Sequence, residues 1–399
     1  MPLKKKKRAA GRELLISLCK ENSETRPKAK PTGAKSAGNH IKAGDAGCNI
    51  DCNDHIDWPA FLREIPSQLI FVVYRNAQMS SLGSLLPDKV KEHLHRLKLG
   101  AIKKRLSLVH CLREIDAAFR KENIDYVLLK GFAIEKAVYQ KDMRFFEDLD
   151  ILVRKKDIDR AMKTVKGLGY SEPPGAYPNE YYEKCRYHLV LFKKELGVAV
   201  ELHSGIAESY STARFNERLL FNNTVTSEVQ GLRLKIFNNE MALIHQCVHS
   251  ISIHTYQLLI SHAYEISGFM RRQRIDWSKL VRICQMTGSA AFVYKAILSS
   301  DEIFPMAISQ TSHDMLKALE RLRMSSDKGE LRILDIFYNL NRPGHPSATR
   351  AKILKWSQKA LLCRSMEQRR LLLADLYQSC RYPLVGLARL ANTGKRKMR

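Results

Sequence analysis

In the stretch RFFEDLDILV, residues 144–153, an arginine and three carboxylates (Glu147, Asp148 and Asp150) run straight into an apolar segment. Charged groups at the mouth of a buried strand are costly unless paired, hydrated or bound to a cation. Side chains two apart on a strand share a face, so DLDILV projects Asp148 and Asp150 together and turns Leu149 and Ile151 the other way. Two neighbouring carboxylates repel, and a divalent cation between them removes the repulsion. Mg²⁺, or Mn²⁺ in its place, suits such a pair, because it takes a few carboxylates and keeps other positions for water and phosphate oxygens.

A third acid stands farther along the chain. The segment VAVELH, residues 198–203, alternates Val198, Val200 and Leu202 on one face with Ala199, Glu201 and His203 on the other. An acid midway along an otherwise apolar strand needs a partner, and a metal shared with Asp148 and Asp150 would supply one. His203 follows on the same face, where it would support Glu201 or contact substrate. The candidate catalytic and metal-binding set is therefore Asp148, Asp150 and Glu201. An Asp-x-Asp spacing alone is a weak signal, since solvent-facing strands also alternate acid and apolar residues. Phosphoryl transfer is the chemistry that such a site performs, because charge neutralisation and alignment do most of its work.

The elements that must hold these residues can be read around them. LSLVHCLREIDAAFRKEN places Leu108, Leu112, Ile115 and Phe119 on one helical face. YVLL, residues 126–129, is a short apolar strand left through Lys130 and Gly131, and FAIEKAVY after it reads as a helix. DLDILV is the second strand, and Asp157 then caps a helix with Ile158, Ala161, Met162, Val165 and Leu168 on its apolar side. YHLVLFKK and VAVELH follow as a hairpin. From about residue 238 the chain reads as helical. The expected fold is α+β: a small mixed sheet flanked by helices, then a mainly α-helical C-terminal region. The expected divisions are a disordered basic tail over 1–55, the α/β core with its leading helices over 56–237, a helical domain over 238–340, and a basic helical extension over 341–399.

The order LLKG, helix, R…DLDILV, helix ending LGY, then VAVELH resembles the nucleotidyltransferase superfamily, in particular a poorly characterised branch that opens with Lys-Gly and closes its core with Glu-Leu-His. The likeness extends from about residue 60 to about residue 300 and takes in NEMALIHQCVH and RIDWSKLV. By this resemblance the fold has a nucleotidyltransferase core. Lys130 and Gly131 take the phosphate-loop role, Arg144 contacts phosphate, Asp148 and Asp150 bind metal, and Glu201 is the third carboxylate. The implied reaction moves a nucleoside monophosphate from an NTP onto a hydroxyl or phosphate acceptor. One departure is plain: the usual Gly-Ser pair is Gly131-Phe132 here, so the hydroxyl that would touch a phosphate is missing. That departure motivates the alternative of a degenerate transferase fold acting as a nucleic-acid or protein binding module.

Composition sets the frame. The net charge is +26 over 399 residues, concentrated at the ends in residues 1–47 and 350–399. Basic termini of this kind suit a nucleic acid or another acidic partner. Apolar runs such as QLIFVVY fall far short of the roughly 20 residues a membrane-spanning helix needs, and no secretory signal is evident. Nine cysteines, an odd number with no CxxC, suit free thiols in a cytoplasmic protein. HQCVH, residues 245–249, differs from the zinc-protease HExxH by Gln246, which cannot act as the base. A structural zinc on His245, His249 and His254 stays open beside packing at a helix interface or lining of the substrate cleft. The aromatics of GAYPNEYYEKCRYH, residues 175–188, would stack on a base or cover a sheet edge.

Overall fold

A computed structural model describes residues 3–20, 56–173, 188–207, 211, 213–253, 260–306 and 310–325. The chain divides into two compact units, residues 1–102 with 143–145, and residues 103–142 with 146–399. No helix among the described residues is long and apolar enough to cross a membrane.

The first unit is helical: α1 (Leu3–Lys20), α2 (Trp58–Glu64), α3 (Ile70–Met79) and the first part of α4 (Asp88–Lys121). Helix α1 differs from the disordered tail expected over 1–55. Its Leu14, Leu15 and Leu18 are fully buried against α2 and α3, where Phe61, Val72 and Val73 are buried too. Asn76 Nδ2 donates to the Leu18 carbonyl, capturing an acceptor that the end of α1 leaves without a helical partner. The basic run at residues 4–8 hid this amphipathic pattern.

The second unit is built on one six-stranded mixed sheet in the order β3-β4-β2-β1-β6-β5. Its strands are β1 (Tyr126–Leu129), β2 (Asp148–Val153), β3 (His188–Lys193), β4 (Val198–His203), β5 (Thr224–Val229) and β6 (Leu232–Phe237). Strand β2 runs antiparallel to β1 and parallel to β4, and β1 runs parallel to β6. The β5–β6 hairpin, absent from the sequence expectation, turns on Gln230 and Gly231, with φ of +53° and +80°. Two consecutive positive φ values match the right-handed twist of a two-residue hairpin.

One face of the sheet carries the core. Leu149, Ile151 and Val153 of β2, with Val198, Val200 and Leu202 of β4, pack with Leu108, Leu112, Ile115 and Phe119 of α4 and with Ala161 and Val165 of α6 (Ile158–Gly167). Asp157 does stand at the N-cap of α6, but its carboxylate accepts from Arg160 at 2.7 Å instead of from a helix N–H. The opposite face carries Asp148, Asp150, Glu201 and His203. Beyond the sheet lie α5 (Gly131–Val138), α7 (Glu217–Asn222), α8 (Asn239–Ile253), α9 (Ile260–Arg272), α10 (Trp277–Thr287), α11 (Ala290–Ile303) and α12 (Gln310–Ser325). Helix α5 packs against α9. Their junction includes Glu265, fully buried, which accepts from Tyr139 Oη at 2.9 Å and from Gln246 Nε2 at 2.5 Å.

Candidate active site

The register of β2 against β4 builds the site. Asp148 pairs with Ala199, Asp150 with Glu201, and Leu152 with His203. In parallel strands registered residues point to the same side, so Asp150 and Glu201 stand shoulder to shoulder. Leu129, the last residue of β1, pairs with Asp150 from the other flank, which delivers Lys130 to the same spot. Hydrogen bonds of three strands thus fix where these side chains start.

Asp150 is the centre of the cluster and only 4% exposed. Its Oδ1 receives Lys130 Nζ at 2.8 Å and lies 2.9 Å from His203 Nε2. His203 Nε2 is also 3.6 Å from Glu201 Oε2. His188 of β3 closes the far side, its ring stacked on that of His203 at 5.2 Å and 29°, with Nε2 3.8 Å from Glu201 Oε2. Among the described residues, Asp150, Glu201 and His203 form the group whose ligating atoms all lie within 4.8 Å of one another. The trio brought to ligating distance contains His203, and Asp148 stands two residues before Asp150 on the same face, beside Ala199. Two carboxylates and an imidazole are a donor set that fits a divalent ion.

The electrostatics follow from burial and charge. Burial on its own would push Asp150 up, but the Lys130 ammonium and the His203 hydrogen bond outweigh it and hold the carboxyl well below the usual range. Burial would lower Lys130, and Asp150, Glu201 and Asp148 together reverse the sign, so it stays a cation. His203 is held below its ordinary value, because burial outweighs the pull of Asp150. At neutral pH Asp150 is therefore a carboxylate and Lys130 an ammonium.

Lys130 was expected to face phosphate; the structure turns its ammonium onto Asp150. Its φ of +39°, followed by +33° at Gly131, is the left-handed half of backbone space that non-glycine residues avoid. Gly131 is required for space as well as for angle: a Cβ there would sit 3.1 Å from the Phe146 ring. Phe132, standing where the superfamily has serine, is a core residue 1% exposed, edge-on to Phe146 at 4.6 Å and beneath the Arg105 guanidinium at 5.1 Å. Arg144 is 7% exposed and belongs to the first unit.

Sequence reading missed His188 and gave His245 a place at a helix interface, in the substrate cleft or on a zinc. His188 opens β3 opposite His203, a register that no local pattern encodes. His245 of α8 is buried close enough to Lys130 and His203 to feel both charges, and burial with those charges takes it down to about 3. His245 and His249 stand edge-on at 6.2 Å, and His254 lies outside the described residues. The aromatic segment 174–187 and the basic residues 326–399 lie outside them as well.

No curated protein matches the chain. Among solved structures, the antibiotic-resistance factor ANT(2'')-Ia is similar over 55% of this chain and 95% of that chain, at 12% identity and a TM-score of 0.32. The family model described as uncharacterised nucleotidyltransferase matches residues 54–305, a span that contains every strand of the sheet and the whole carboxylate cluster. This chain belongs to that nucleotidyltransferase family.

Proposed function

We propose that the protein is a divalent-cation-dependent nucleotidyltransferase that moves a nucleoside monophosphate from an NTP to a hydroxyl or phosphate acceptor. The observation that carries the reading is the pairing of Asp150 with Glu201 on adjacent strands, beside Lys130. Asp150, Glu201 and His203 would hold the cation, Mg²⁺ or Mn²⁺, with Asp148 beside them. When bound, such an ion neutralises polyphosphate charge and polarises the reacting phosphoryl group.

The protein's own residues supply the rest. Lys130 carries a permanent positive charge at the edge of the cluster and is the residue placed to follow the triphosphate once a cation shares Asp150. In the transfer, the acceptor oxygen bonds to the α-phosphorus as the bond to the bridging oxygen breaks, and pyrophosphate leaves. The acceptor's proton needs a base, and the Glu201 side chain, 15% exposed against 4% for Asp150, is the more accessible carboxylate of the registered pair.

One observation favours a second reading. The Lys130 ammonium sits where a metal ion would bind Asp150, so a fold with a built-in cation and no turnover would show the same contact. That reading makes the protein a binding module. Incubation with α-labelled NTPs, Mg²⁺ or Mn²⁺ and a cell extract separates the two. Label transferred to a defined molecule, with none from γ-labelled NTP, supports transfer; absence of any transferred label with every NTP and both ions supports the binding module.

A further inference from the structure

We propose that His203 is itself a metal ligand, and that the resulting site of two oxygens and one nitrogen prefers a first-row transition cation, represented by Mn²⁺, over Mg²⁺. The inference rests on the nucleotidyl-transfer reading and narrows it to a cation class. His203 Nε2 lies 2.9 Å from Asp150 Oδ1 and 3.6 Å from Glu201 Oε2. Donors about 2.1 Å from one ion stand about 3.0 Å apart at octahedral angles, and about 3.4 Å apart at tetrahedral ones. The two separations, 2.9 and 3.6 Å, are of about that size.

The imidazole is also held in place. It is 1% exposed, its backbone pairs with β2 on one side and β3 on the other, and its ring is stacked on His188. A buried ring carried on an inner strand and stacked on His188, with Nε2 near two carboxylates, is pre-organised for a shared ion. Asp148 stands on the same face two residues before Asp150, and its charge acts on both Lys130 and His203.

Donor chemistry then sets the preference. Mg²⁺ demands oxygen ligands and sheds water reluctantly, whereas imidazole raises affinity along the series from Mn²⁺ upward. In the cation-free form the His203–Asp150 contact carries a proton, and the Nε2 donor role demands that tautomer. A cation held at Nε2 would take the place of that proton, which would pass to Nδ1 or to solvent.

The test is pulsed electron paramagnetic resonance of Mn²⁺ titrated into the full-length protein, with calorimetry of Mn²⁺ and Mg²⁺ binding. The expected result is a directly bonded ¹⁴N coupling that is lost in His203→Gln and kept in His188→Gln, with Mn²⁺ bound about tenfold or more tightly than Mg²⁺. If His203→Gln does not fold, wild-type protein labelled with ¹⁵N-histidine must convert the ¹⁴N pattern to ¹⁵N. Mn²⁺ bound without nitrogen coupling, or with coupling that follows His188, overturns the inference and leaves the transfer reading standing. Failure of both ions to bind in any form that Asp150→Asn abolishes overturns the two together.

Discussion

Lys130 Nζ lies 2.8 Å from Asp150 Oδ1, with both side chains largely removed from solvent. The contact is reached from a backbone conformation that costs on the order of 1–3 kcal/mol in a non-glycine residue. A strained residue aimed at a buried carboxylate is a device for keeping three acids together in the absence of a cation. Lys130→Met should therefore destabilise the fold by about 3 kcal/mol or more, since it strands Asp150 with only His203 as a donor. Urea denaturation measures it, and a loss below about 0.5 kcal/mol would mean that the pair is not holding the cluster.

Gly131→Ala meets two penalties at once. The φ of +33° disfavours any Cβ, and that Cβ would press on the Phe146 ring. A loss of about 1–3 kcal/mol is expected, with kcat falling more than KM changes, because the residue follows Lys130 as the first residue of α5. Thermal melting and steady-state kinetics check both parts. A neutral result would place the glycine requirement elsewhere.

The buried Arg105–Glu135 pair ties α4 to α5 through two parallel contacts of 2.9 and 2.8 Å, with Asp142 adding a third at 2.6 Å. Arg105→Lys keeps the charge and loses the fork, so a cost of about 1–3 kcal/mol is expected despite the conservative change. Glu135→Gln should cost a comparable amount. Equal stability of Arg105→Lys and wild type in chemical denaturation would show that charge alone suffices.

His245 predicts an acid limb in the stability profile. Its folded value is about 3 against about 6.5 unfolded, so between these the unfolded chain binds a proton that the folded chain refuses. Stability is fully present above about 6.5 and falls as pH drops toward about 3, with a slope near 1.4 kcal/mol per pH unit from this group. His203, lowered for the same reason, adds in the same direction. Denaturation midpoints taken down from about pH 6.5 should show a shallower decline in His245→Gln. An unchanged slope would mean that His245 is solvated in the folded protein.

The strands that carry the site were readable because period-two alternation is a local property. DLDILV and VAVELH run over the same residues in sequence and structure. The β5–β6 hairpin escaped notice because its outward residues (Thr226, Glu228, Arg233 and Lys235 among them) leave only a thin apolar face, although Gln230-Gly231 was a turn signal. Helix α1 was masked by its lysines. That His203 comes within ligating distance of both Asp150 and Glu201 was beyond local reading altogether. It depends on how β2 slides against β4, and that register is set by the packing of Leu149, Ile151, Val200 and Leu202 on the opposite face of the sheet. Phe132 shows the same limit: compared with a family pattern it is a lost hydroxyl, and in the fold it is a core ring.

The central claim is that Asp150 and Glu201 act as one cation site, and calorimetric titration of Mn²⁺ into wild type, Asp150→Asn, Glu201→Gln and the double variant tests it most directly. Each single change should abolish tight binding as fully as the double change does, the non-additivity expected of groups that share one ligand. Binding that survives either single change undiminished, or losses that simply add, would contradict the account.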